Sequence, residues 1–260
     1  KAVLFKKFAN IDCFDIEVNE KNPKKLAEIV TALEPSFGAV NLEDIKAPDC
    51  FLVEKICKDN MNIPVFHDDQ HGTAIVVGAA VVNALRLCKK KSSDIKIVAV
   101  GGGAAGIACL NMLLNLGCKK SNIWLFDRSG LVTKERSNLD IHKKSFAQPS
   151  DFQSLAECLT DADLFLGLSG PGVLTAELVE KMNKQPIILA LANPEPEIRP
   201  EDAKLVASDA IIATGRSDYP NQVNNLIGFP YIFRGALDVR SKTINEEMKI
   251  AAAHAIAKLA

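Results

Sequence analysis

The stretch Ile95-Lys96-Ile97-Val98-Ala99-Val100-Gly101-Gly102-Gly103-Ala104-Ala105-Gly106 decides the fold of this 260-residue chain. An apolar run breaks into glycines and resumes as Ile107-Ala108-Cys109-Leu110-Asn111-Met112-Leu113-Leu114, so it reads as strand, tight turn and helix. Gly101, Gly103 and Gly106 match G-x-G-x-x-G, a spacing that lets the backbone turn sharply, approach a pyrophosphate and aim the N–H groups of a new helix at it. With Gly102, Ala104 and Ala105 they form the candidate phosphate loop. A second strand-like run, Asn122-Ile123-Trp124-Leu125-Phe126-Asp127, ends in an acid about twenty positions beyond Gly106, where a carboxylate can accept hydrogen bonds from an adenosine ribose. A glycine turn in an ordinary α/β sheet would give the same letters; the flanking strand, helix and acid favour a dinucleotide.

Working outward, the composition excludes several classes. Lys plus Arg is 31 and Asp plus Glu is 32, and basic runs such as Lys89-Lys90-Lys91 are short, so neither nucleic acid nor a membrane surface is expected as a partner. No stretch is expected to approach the length of a transmembrane helix, and Lys1-Ala2-Val3-Leu4-Phe5-Lys6-Lys7 is not a signal peptide. The seven cysteines form no C-x-x-C pair and sit mostly in apolar segments as small buried hydrophobes, which suits a reducing compartment and a cytoplasmic location. The first residue is not Met, so the chain reads as a fragment or a trimmed product.

In chain order, Val3 to Phe8 is strand-like, Asn22 caps a helix that opens with Pro23 and that Pro35 stops, and Phe37 to Leu42 is a short strand running into Glu43-Asp44. Ala47 to Asp59 is a helix, and Ile63-Pro64-Val65-Phe66 a strand ending in His67-Asp68-Asp69. Thr73 to Leu87 is a long helix, apolar nearly all round and therefore buried. The segment from Asp127 through Gln148 is expected to be a surface loop of mostly structural value. Apolar runs then lead into Ser169-Gly170-Pro171-Gly172, Ala192-Asn193-Pro194 and Thr214-Gly215-Arg216, and Ile244 to Leu259 is an Ala-rich helix. The alternation predicts an α/β fold: a doubly wound, mostly parallel, Rossmann-type sheet plus a smaller α/β lobe. The expected division is a metal and substrate lobe over 1–70, a dinucleotide-binding domain over 71–224, and a segment over 225–260 that packs back on the first lobe. Ligands bind beyond the carboxyl ends of parallel strands, which gathers the acids, the glycine loop, Asp127, Ser169 and Asn193 towards one edge.

Glu43, Asp44, Asp68 and Asp69 place four carboxyl groups at two strand ends, where they repel one another unless protonated or neutralised by a cation. Oxygen ligands select hard ions, Mg²⁺ or Mn²⁺. Solvated or helix-capping acids are the alternative for either pair. His67 and His71 stand at i, i+4, but no helix is expected across that turn, which disfavours zinc. A nicotinamide beside a hard cation suits oxidation of a 2-hydroxy acid, and the same Lewis acid can stabilise the enolate left when CO₂ departs from a β-keto acid.

The blocks Asn41-Leu42-Glu43-Asp44-Ile45, Phe66-His67-Asp68-Asp69-Gln70-His71-Gly72-Thr73-Ala74, Gly101 to Gly106, Ala192-Asn193-Pro194-Glu195 and Thr214 to Asn225 together resemble malic enzyme of the shorter bacterial type, in order and over essentially the whole chain. The resemblance implies oxidative decarboxylation of malate to pyruvate and CO₂ with NAD or NADP and Mg²⁺ or Mn²⁺, in a homodimer or higher homo-oligomer. It implies Glu43, Asp44 and Asp69 as metal ligands with Asp68 an acid behind them. Asn193 and Asn225 would lie against nicotinamide and substrate carboxylate, and Thr73 and Ser169 would join the glycine loop on the cofactor. Lys1 falls at the family's lysine that takes the hydroxyl proton. The family's tyrosine acid belongs to a segment upstream of that lysine; neither Tyr219 nor Tyr231 lies in its context. Asp127 favours NAD, whereas Arg128 could turn towards the 2′-phosphate of NADP. The competing classes are a catalytically silent dinucleotide-binding module and a metal-free hydroxy or amino acid dehydrogenase.

Overall fold

The computed structural model describes every residue except Gln153 and Ala260. The chain runs through α1 (Ala2–Ala9), α2 (Pro23–Ala32), β1 (Val40–Leu42), α3 (Asp49–Asn60) and β2 (Val65–His67). It continues through α4 (Asp68–Cys88), β3 (Ile97–Val100), α5 (Ala104–Asn115), β4 (Ile123–Asp127), β5 (Gly130–Leu131), α6 (Ile141–Lys144), α7 (Leu155–Leu159), β6 (Leu164–Gly167) and α8 (Ala176–Val179). The rest is β7 (Ile187–Ala190), α9 (Pro200–Val206), β8 (Ile211–Thr214), α10 (Phe229–Asp238) and α11 (Glu246–Leu259).

The larger sheet has the order β5-β4-β3-β6-β7-β8 and is parallel except for the edge strand β5. Apart from Asp127 at the end of β4 and Thr214 at the end of β8, its strands are apolar because both faces are covered. Ile97 and Ala99 of β3 join the core formed with α4, α5 and α11, whereas Val98 joins Cys158, Leu159, Val179 and Ala203 on the opposite face. The chain turns outward in opposite directions from β3 and β6, which pair with each other, so a crevice opens beyond their carboxyl ends. In the smaller unit β1 and β2 pair in parallel, with Asn41 opposite Phe66 and Leu42 opposite His67.

Three local expectations change. Val3 to Phe8 is helical: Phe5 and Ala9 are both buried at i, i+4, Lys6 and Lys7 lie in the last turn, and Asn10 ends α1 in a left-handed conformation. A helix does cross the turn after His67, for α4 starts at Asp68 with two acids in its first turn, where they complement the helix dipole. That start also puts the expected 70/71 division inside a helix. At 21 residues α4 has the length and apolarity of a membrane span, contrary to expectation; most of it is buried, with α5 and α11 packed along it, as befits a core helix.

Candidate active site

The register of β1 and β2 sends Glu43-Asp44 and Asp68-Asp69 out side by side. Asp44 takes a left-handed backbone at φ 57°, and its N–H donates to Asp69 Oδ2 at 2.9 Å. Asn41 Nδ2 donates to Glu43 Oε2 at 2.8 Å. Lys1 reaches in from the start of α1, with Nζ 3.4 Å from Glu43 Oε1 and in a direct ion pair with Asp68. An aromatic cluster fixes α1 there: the Phe5 ring lies 4.9 Å from Phe229 and 5.2 Å from Phe233, and Lys1 Nζ stands 4.1 Å above the Phe229 ring. Asn225 Nδ2 donates to Asp68 Oδ2 at 2.6 Å, so the segment after β8 closes the same site.

Asp68 is 0% exposed. Burial lifts its carboxyl to about 7 against the pull of Lys1, and Glu43 and Asp69 add to the rise. Glu43 is also raised, first by burial and with a contribution from Asp69, showing that these carboxylates lie within one another's field. Asp68 Oδ1 and both ring nitrogens of His67 are buried without hydrogen-bond partners among the described residues, although His67 Nδ1 lies 3.9 Å from Asp69 Oδ2. Burial holds His67 towards its neutral form. His71 does not join it: its Nε2 pairs with Glu54 Oε1 at 2.8 Å and its Nδ1 with Lys249 Nζ at 3.1 Å, so the histidine on α4 is engaged apart from the one that ends β2.

The glycine loop leads from β3 into α5 as expected. Gly101 is at φ 127°, and a Cβ there would lie 2.4 Å from the Leu168 carbonyl oxygen, whereas a Cβ on Gly106 would lie 1.8 Å from the Gly101 carbonyl oxygen. Gly103 meets nothing within 4 Å, leaving the N-terminus of α5, with Ala104 and Ala105 in its first turn, open to an approaching group. Thr73 is half-buried on α4, one turn beyond Asp69.

Asp127 ends β4 as expected, but its partners were not legible. Arg136 makes a fork to it, Nη1 to Oδ1 at 2.9 Å and Nη2 to Oδ2 at 3.1 Å, and Lys143 Nζ donates to Oδ2 at 2.9 Å. Burial opposes ionisation, yet these donors and the Ser129 N–H outweigh it and hold the carboxyl down to about 2. Arg128 is exposed and is not the residue that balances Asp127. The 127–148 excursion is therefore more than structural filler: α6, capped by the Asp140 side chain, brings Lys143 beside the glycine loop, where a Cβ on Gly102 would lie 3.3 Å from Lys143 Cε. Its neighbour His142 stacks on Phe51 of α3 with ring centroids 3.9 Å apart.

Ser169 and Asn193 follow β6 and β7 at the crevice. Beside them a cleft of about 460 Å³ is lined by Asn193, Gly215, Arg216, Gln222 and Asn224, next to Asn225. Arg216 is held by Glu195 at 3.0 Å and Asp218 at 2.6 Å. Arg136 and Lys143 escaped sequence reasoning because neither stands at a periodic spacing, and the basic residues of the excursion after Asp127 were the one available signal; Arg216 was quoted in its block but given no role.

A family model described as malic enzyme, NAD binding domain, matches residues 70–260. The chain is 59% identical over 262 residues to the NADP-dependent malic enzyme of Haemophilus influenzae, covering 100% of this chain and 35% of that protein. It is 58% identical over 261 residues to the NAD-dependent malic enzyme of Rhizobium meliloti, covering 100% and 34%. The crystal structure of the NAD-dependent malic enzyme from Thermotoga maritima matches with a TM-score of 0.94 at 45% identity, over 100% of this chain and 69% of that one. The chain thus spans about a third of the length of these two curated relatives.

Proposed function

We propose that this chain, which belongs to the malic enzyme family, carries the centre for oxidative decarboxylation of malate to pyruvate and CO₂ with reduction of NAD or NADP. The observation that carries the reading is the convergence of Lys1, Asn225 and Asp68 beside Glu43, Asp44 and Asp69. A metal-free dehydrogenase has no use for three further carboxylates at that point. The 1–70 region is then the metal and substrate lobe, 71–224 the dinucleotide domain, and 225–260 the segment returning Asn225 to the first lobe.

The donor chemistry fits a hard divalent cation, since the donors are carboxylate oxygens, Glu43 is raised by burial with a contribution from Asp69, and buried Asp68 Oδ1 lacks a hydrogen-bond partner; among the described residues no three such side chains are gathered into a ligand cage. Glu43, Asp44 and Asp69 would hold Mg²⁺ or Mn²⁺, which when bound supplies Lewis acidity towards the substrate hydroxyl, carboxylate and enolate oxygens. Lys1 Nζ, held by its ion pair with Asp68, is placed to take the hydroxyl proton, and a bound nicotinamide would supply the hydride acceptor. Asn225 holds Asp68 and, with Asn193, would face the substrate carboxylate and nicotinamide. Gly101 to Gly106, Thr73 and Ser169 hold the dinucleotide. Asp127 would accept from a ribose only by exchanging one of the four donors that already fill its two oxygens, and Arg136 and Lys143 offset its charge, which supports a site that tolerates the 2′-phosphate of NADP.

The test is Asp69→Asn in the full-length protein. It should abolish Mn²⁺-dependent malate turnover and weaken Mn²⁺ binding while dinucleotide affinity stays within about twofold, since the glycine loop is untouched. Near-normal metal affinity and rate would show the carboxylates to be misassigned.

A further inference from the structure

β6 ends at Gly167 and β7 at Ala190, and the chain leaves these strands into the turns that carry Ser169 and Asn193. Between the two exits lies the carboxylate of Glu197, which is 0% exposed. Oε1 accepts the Ser169 N–H at 2.9 Å and the Ser169 hydroxyl at 3.3 Å, and Oε2 accepts the Ala192 N–H at 3.1 Å. The Glu197 carbonyl accepts the Leu174 N–H at 3.2 Å, which anchors its backbone to the end of the Ser169 turn. Gly167 makes room for it: a Cβ there would lie 2.4 Å from Glu197 Cδ and 2.7 Å from each oxygen. Gly167 also pairs with Val100, the last residue before the glycine loop. Among the described residues no Lys, Arg or His forms an ion pair with Glu197.

Burying a carboxylate without a counter-ion is costly, and if filling space were the only requirement an apolar side chain would meet it at less cost. What an apolar side chain cannot do is accept two backbone N–H groups from different turns at once. We propose that Glu197 is a positioning residue for dinucleotide binding: its two oxygens clamp the Ser169 and Ala192 backbones together and so fix the two turns, after β6 and β7, that form one wall of the crevice. Glu197 itself touches no cofactor. The proposal rests on the dinucleotide reading above and adds a role for a residue outside it.

The experiment uses the full-length protein and direct titration with NADH and NADPH by nucleotide fluorescence. Glu197→Gln keeps the volume but offers one acceptor and one donor, so either the Ser169 or the Ala192 N–H must face an amide NH₂. The dissociation constant of whichever dinucleotide the wild type binds should rise by about tenfold or more, the scale of one lost hydrogen bond to a charged acceptor, while Mn²⁺ affinity and the malate KM stay within about twofold. Gly167→Ala, which pushes on the carboxylate without removing it, should weaken dinucleotide binding as well. The double variant Gly167→Ala/Glu197→Asp, whose shorter acid recovers some of the space, should lose less than the sum of the losses measured for Gly167→Ala alone and Glu197→Asp alone. Unchanged dinucleotide affinity in a folded Glu197→Gln protein overturns the proposal, as does a parallel loss of Mn²⁺ and malate affinity, which would mark a general structural defect. If Glu197→Gln does not fold, strictly additive losses in the Gly167 pair overturn it equally. A wild-type protein that binds neither NADH nor NADPH sinks the cofactor reading, and this proposal with it.

Discussion

Asp68→Asn should stabilise the metal-free protein in mildly alkaline solution while lowering malate turnover. The fold lifts the Asp68 carboxyl from 3.8 to about 7, chiefly by burial. A group whose folded value lies above its unfolded value supports folding fully below the unfolded value, and that support drains away as pH rises through the folded value. At about 1.4 kcal/mol per pH unit, ionised Asp68 therefore costs the native state about 4 kcal/mol above pH 7. Asparagine is neutral at every pH, and its oxygen can accept from Lys1 and Asn225 as Oδ2 does. Its amide would fall at the position of Oδ1, which has no partner, at a penalty of about 1–3 kcal/mol. The net gain at pH 8 is about 1–3 kcal/mol, or about 2–10 °C in Tm for a domain of this size. Melting curves in EDTA at pH 5 and pH 8 supply the assay, and the stability of the variant relative to wild type should grow by about 2–3 kcal/mol between them. A relative stability that does not change with pH refutes the argument, because every other titrating group is common to both proteins.

Two further substitutions address the chemistry, each in the full-length protein. Lys1→Ala should lower turnover by about 10²–10⁴-fold, with dinucleotide affinity unchanged in fluorescence titrations, since it removes the base and leaves the glycine loop alone. Unchanged turnover would make Lys1 only a partner of Asp68. Asp127→Ala releases Arg136 and Lys143, so the kcat/KM ratio of NADP to NAD should rise by about tenfold or more, the scale of about 1.4 kcal/mol; a constant ratio would mean that other residues select the cofactor.

What the sequence made legible were features written in contiguous letters. The run into Gly101, Gly103 and Gly106 carries its own geometry, and the apolar runs at 164–167, 187–190 and 211–214 announce strands covered on both faces. Glu43-Asp44 and Asp68-Asp69 could be placed together because each pair ends a strand. The first helix was missed because Val3 to Phe8 is apolar enough for either state, and the choice falls to tertiary packing of Phe5 on Phe229 and Phe233. Pairings across long separations could not be read at all: Lys1 with Asp68, Asn225 with Asp68, and Glu197 with Ser169 depend on how distant turns meet. Arg136 and Lys143 lie in a segment without periodicity, and only the folded excursion brings them to Asp127.

The stacking of Phe51 on His142 joins the helix that follows the Glu43-Asp44 turn to the residue beside Lys143. On the function proposed above, the stack is a contact between the two binding places as well as between two pieces of chain. If nucleotide binding at the proposed site rearranges α6 and disturbs this stack, the proposed cation site feels it, and thermodynamic reciprocity then requires a cation there to alter nucleotide affinity by the same factor. An aromatic stack of this kind contributes about 0.5–1.5 kcal/mol, which caps the mutual effect through this contact at about tenfold in either direction.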